Sequence, residues 1–231
     1  MNRLHSTIVV AALAWLAPTV ARAHITVASG PGIANTSQEV AFGVGHGCAG
    51  ADTYRVEIEI PTGVTSVRPE TSDFGQVDVA TDDAGTIVMV SWQKSDAALL
   101  PADTQYYKLA MRLKTPDAPF TTLYFPARQI CRAEDGTTTV VEWVGLDAGE
   151  NADIEPAPAL RVVPPRFPGW INFTLTQTID DLSVFFADAQ IVWRGDSAYS
   201  VNPTTIDLIA GTDGTTLLET LSAGHEIWVK Y

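Results

Sequence analysis

The residues best suited to chemistry in this chain are histidines, and their positions matter more than their number. The segment Ala21-Arg22-Ala23 is followed at once by His24. Cleavage after Ala23 would make His24 the first mature residue, so that one residue offers a free α-amine and a ring nitrogen to the same ion. An unperturbed α-amine has a pKa of about 8, low enough for a metal to displace its proton at neutral pH. Nitrogen donors in a tetragonal arrangement favour Cu(II) over the other divalent first-row ions. His24 is therefore a candidate copper chelate. His46 lies in Gly43-Val44-Gly45-His46-Gly47-Cys48, where glycines allow unusual backbone conformations, and it could complete a three-nitrogen set. The plainer reading of His46 is a surface loop histidine. His225, in Ala223-Gly224-His225-Glu226, reads as an exposed turn residue, and Met89 and Met111 fall inside expected strands, which disfavours a thioether site for Cu(I).

The chelate requires export. Residues 1–23 carry Arg3, an apolar run from Ile8 to Leu16, Pro18 and small residues at the end, the pattern of a cleaved secretory signal peptide. The run falls short of the roughly 20 residues a membrane span needs. The mature chain is thus expected to be periplasmic or secreted. Cleavage removes two of the 14 basic residues and none of the 27 acidic ones, so the formal charge of −13 becomes −15. Such a charge disfavours nucleic acid and anionic lipid as partners, since both need clustered Lys and Arg. In an oxidising compartment Cys48 and Cys131, the 2 cysteines, are expected to form a disulfide. A two-thiolate metal site is the alternative, but neither cysteine has a second one at zinc-finger spacing.

The elements that must position these groups are short strands. Residues 54–60 alternate apolar and polar until Pro61, and residues 85–92, 106–113, 121–125 and 138–143 are similar runs. Asp82-Asp83-Ala84-Gly85 and Glu134-Asp135-Gly136 supply turns. The pattern predicts a mainly β protein built on an antiparallel β-sandwich, immunoglobulin- or cupredoxin-like. Glu39, Glu57 and Glu59 read as solvated strand faces. Five prolines among residues 147–169 suggest a linker or extended strap. Beyond it, residues 180–189 predict a helix capped by an Asp with Leu182, Phe185, Phe186 and Ala189 on one face, followed by strands at Val192-Trp193 and Ile227-Trp228-Val229. The expected division is signal peptide 1–23, sandwich 24–160, and a small α+β C-terminal unit 161–231.

Four stretches resemble the YcnI-like family of secreted copper-binding proteins: Ala23-His24-Ile25-Thr26-Val27, Val44-Gly45-His46-Gly47-Cys48, the run from Val56 through Pro61-Thr62-Gly63-Val64, and Val141-Glu142-Trp143. The resemblance covers about residues 24–160. It implies a β-sandwich that holds Cu(II) through the mature N-terminal histidine, an acidic ligand and a neighbouring tryptophan, with a role in extracytoplasmic copper handling. By that resemblance His24 is a ligand and Trp143 an aromatic wall. His46 stands about where the family's carboxylate falls, which suggests a variant with two histidines. Glu142 ranks below His46, because a regular strand would point it to the face opposite Trp143. The C-terminal unit also resembles an extension found on some members, whose exposed aromatics could dock a membrane copper transporter or a periplasmic copper chaperone.

Copper sequestration or delivery is thus the leading expectation, without enzymatic activity. The alternatives are a copper-dependent monooxygenase, since an N-terminal histidine brace also serves such enzymes, and a metal-free interaction or adhesion sandwich. Motifs for a nucleophile elbow, a phosphate-binding loop or an H-E-x-x-H zinc helix are missing from the sequence.

Overall fold

The computed structural model describes residues 24–146 and 155–231. The signal peptide expected at 1–23, and the 147–154 part of the expected linker, lie outside the described residues. The sandwich is made by β1 (Ile25–Val27), β2 (Gly32–Ile33), β3 (Ser37–Val44), β4 (Asp52–Glu59), β5 (Thr65–Pro69), β6 (Gln76–Thr81), β7 (Ile87–Gln93), β8 (Tyr107–Lys114), β9 (Thr121–Tyr124), β10 (Ala127–Arg132), β11 (Thr138–Gly145), β12 (Glu155–Pro156) and β13 (Ala159–Val163). One sheet has the order β1-β3-β8-β5, the second β12-β11-β10-β4-β7-β6, and a small third sheet runs β2-β13-β9.

Alternation along the strands dictates what lies between the sheets. Val56 and Ile58 of β4, Val90 and Trp92 of β7, Phe42 and Val44 of β3, and Leu109 and Met111 of β8 all point inward and are fully buried. Phe42 and Phe125 meet edge to face, 5.3 Å between centroids. Charged residues take outward positions on the same strands, such as Lys108 and Arg112 of β8, but not all of these outward charges are simply solvated. Glu57 is held by Arg55 at 2.8 Å and Arg128 at 3.1 Å, so its expected role as a bare solvent-facing carboxylate is corrected, whereas Glu39 and Glu59 are exposed. The hairpin at Asp82 closes as its sequence indicates, the Asp82 carboxylate accepting from the backbone N–H groups of Ala84 and Thr86. Cys48 and Cys131 are bonded, joining the loop after β3 to β10.

The proline-rich stretch is only partly a strap. Its residues 155–163 enter the sheets as β12 and β13, because Leu160 and Val162 are buried when β13 pairs with β9. The C-terminal unit then adds β14 (Trp170–Thr174), α1 (Ser183–Phe186), β15 (Ile191–Arg194), β16 (Ser197–Tyr199), α2 (Pro203–Gly211), β17 (Thr216–Leu217) and β18 (Glu226–Lys230), with sheet order β14-β18-β15-β16-β17. The expected helix over 180–189 shrinks to one turn. Even so, Leu182, Phe185, Phe186 and Ala189 are all buried as their spacing predicts, and Asp181 accepts from the Ser183 N–H. Among the described residues no helix is long and apolar enough to cross a membrane.

Candidate metal centre

His24 stands at the start of β1, whose first residue Ile25 is buried and pairs with Val44 of β3. This pairing fixes the chain just behind the histidine and leaves its ring half-exposed at one end of the sandwich. The ring lies beside Trp143, with centroids 5.2 Å apart and planes tilted by 58°. Trp143 is 2% exposed, and among the described residues its indole N–H has no hydrogen-bond partner.

β11 explains how a third group arrives. Trp143 pairs with Ala127 of β10 on one side and, in parallel, with Glu155 of β12 on the other. Glu155 Oε2 consequently lies 3.9 Å from His24 Nδ1, with its side chain largely shielded. That separation is too long for a hydrogen bond. It is close to two metal–donor bonds of about 2 Å each placed end to end. Glu142, one residue before Trp143, points to the other face as the pleat requires, where its carboxylate meets Arg128 at 3.3 Å.

His46 takes other partners. Its Nδ1 is 2.7 Å from the Gly47 carbonyl oxygen and 3.9 Å from Asp103 Oδ2. Its own carbonyl accepts from Gln129 Nε2 at 2.7 Å, and the same amide group donates to Thr53. Among the described residues no three of His, Cys, Asp or Glu come together as a ligand group. His24–Glu155 and His46–Asp103 are therefore two separate pairs. The structure brings His24 and Trp143 together and sets Glu155 beside them, a residue that no motif in the sequence marks. His225 is half-buried in its turn, where Nδ1 accepts from the Ser222 N–H.

A family model described as "Domain of unknown function (DUF1775)" matches residues 24–162. An uncharacterized protein from Nocardia farcinica, whose crystal structure reveals an immunoglobulin-like fold, is 24% identical with a TM-score of 0.50, covering 61% of this chain and 98% of its own. It shares the fold. A cohesin module from the family 33 glycoside hydrolase of Clostridium perfringens gives 12% identity and a TM-score of 0.36 over 62% of this chain and 96% of its own. BcpA, the major pilin subunit of Bacillus cereus, gives 12% and 0.37 over 90% of this chain and 55% of its own. No curated protein matches.

Proposed function

The chain belongs to the DUF1775 family, the YcnI-like group that its sequence resembles, and from that premise we propose that it binds Cu(II) outside the cytoplasm for sequestration or delivery. The supporting observation is the pair of His24 Nδ1 and Glu155 Oε2, 3.9 Å apart beside the buried face of Trp143. Two side-chain donors hold a divalent ion poorly. The α-amine released by cleavage before His24 is the third donor, and it forms a chelate ring with the imidazole of the same residue. Glu155 supplies the negative charge and Trp143 an apolar wall that limits water on one side. In this reading His46, turned toward Asp103, stays outside the ligand set.

The ion is cargo. An open, half-exposed site at the end of the sandwich suits capture and release, with a membrane copper transporter or periplasmic copper chaperone as the partner. The test compares a chain beginning at His24 with one retaining an extra residue before it. The first is expected to bind one equivalent of Cu(II), and the second to lose most of its affinity. Equal binding by both would overturn the chelate. Copper-loaded protein supplied with a reductant is expected to release no oxidised sugars from polysaccharide, and such products would move the reading to a monooxygenase.

A further inference from the structure

A second group of reactive side chains lies away from His24, at the start of β4. Asp52 is fully buried and Lys94, just after β7, is 4% exposed. Lys94 Nζ is 2.5 Å from Asp52 Oδ2 and 2.7 Å from the Tyr107 hydroxyl, which in turn donates to Asp52 Oδ1 at 2.7 Å. The backbone N–H of Leu100 donates to Oδ2 at 2.9 Å. Aromatic rings enclose the amine: Nζ stands 4.1 Å from the centroid of Tyr107 and 5.2 Å from that of Phe74. The enclosure depends on a close backbone approach at Gly75, where a Cβ would fall 2.0 Å from the Gln93 carbonyl oxygen.

From this juxtaposition we propose that Lys94 and Asp52 condense into an intramolecular isopeptide bond. With Nζ 2.5 Å from Oδ2, the nitrogen is at most about 3.7 Å from Asp52 Cγ, close to the roughly 3–3.5 Å of a near-attack arrangement. Both charges are costly in so apolar a setting, and transfer of one proton from Nζ to Oδ2 across the short contact leaves a neutral amine and acid. The Nζ lone pair then attacks Cγ. The Nζ–Cγ bond forms, the Cγ–Oδ2 bond breaks, and Oδ2 departs as water with the transferred proton and a second one from nitrogen. Atoms and charge balance without oxidant or co-reactant. Oδ1 carries the developing negative charge, and the Tyr107 hydroxyl already donates to it, as an oxyanion donor should. Burial first, and the adjoining Asp52 second, push the Tyr107 phenol well above its ordinary pKa, so it keeps the proton it donates.

The product is an amide between the start of β4 and the residue after its neighbour β7, and neither of these two buried charges remains. Intact-mass measurement of the secreted chain, denatured and with the disulfide reduced, tests it. The expected mass is one water below that of the linear sequence, and trypsin is expected to leave Lys94 uncut within a branched peptide carrying Asp52. A chain wholly at the linear mass and cleaved after Lys94 would make the pair an ordinary buried salt bridge and overturn the proposal. Lys94→Arg keeps the cation but not the nucleophilic amine, and is expected to restore the linear mass. A Lys94→Arg chain still one water light would also overturn it, because the loss would then lie elsewhere. Tyr107→Phe is expected to raise the unreacted fraction at least tenfold soon after synthesis, whereas an unchanged fraction would remove Tyr107 from the reaction.

Discussion

His24 and Glu155 illustrate what a residue's identity tells and what only its neighbours tell. His24 stands out in the sequence because the stretch before it has the pattern of a cleaved export signal, and cleavage there would give one specific histidine a free amine. Trp143 was legible through its resemblance to a known motif. Glu155 was not, because it sits in a proline-rich run on a strand of two residues, and its place beside Trp143 arises from a parallel pairing that no local pattern announces. His46 shows the converse, a glycine-flanked histidine with attractive spacing whose Nδ1 faces the next residue's carbonyl. Removing the charge of Glu155 with little change of shape separates these roles. Glu155→Gln is expected to weaken Cu(II) binding at least tenfold in a competition titration while the circular dichroism spectrum stays the same. His46→Ala is expected to leave the copper EPR spectrum unaltered. The opposite pair of results, unchanged affinity for Glu155→Gln and a shifted spectrum for His46→Ala, would return the ligand role to His46.

Among the elements, the strands were the legible part. Period-two alternation located β4, and short β-type runs bounded by turn residues located β7, β8, β9 and β11, each within a residue or two. Helices fared worse. α2 had no strong apolar stripe to betray it, since Ile209 is its one buried residue. The available signal was its cap: Asn202 accepts from the Thr204 N–H at 3.0 Å, and Pro203 follows at the first helical position. With so little burial to hold it, the helix should depend on that cap. Asn202→Ala is expected to cost about 1 kcal/mol, read as a lower denaturant midpoint at unchanged slope. A loss below roughly 0.3 kcal/mol would mean that contacts with β17, not the cap, hold the helix in place.

At the scale of the whole molecule, one residue of the sandwich sends its side chain into the hydrophobic core of the C-terminal unit. The first core lies between the sandwich sheets, and the second beneath the C-terminal sheet is built from residues such as Phe185, Phe186, Val192, Ile227 and Val229. Phe120 belongs by sequence to the connection between β8 and β9 of the sandwich, yet it is buried in the second core. It packs edge to face on Phe173 at 5.1 Å and against Phe186 at 5.1 Å. Its backbone is tied to both sides, since its N–H donates to the Val162 carbonyl and its own carbonyl accepts from Gln177. Nothing in the sequence marked this phenylalanine, because it lies in a loop after Pro119 and outside any periodic run. Phe120→Ala opens a cavity in the smaller core and is expected to cost about 3–5 kcal/mol. That core has fewer contacts to absorb the loss, so limited proteolysis should cut first within residues 170–231. The Cu(II) affinity of the same variant should be unchanged, because His24, Trp143 and Glu155 are held by the sandwich. Calorimetry giving a loss under about 1 kcal/mol, or cleavage appearing first inside β3 or β4, would show that the C-terminal unit does not lean on this residue.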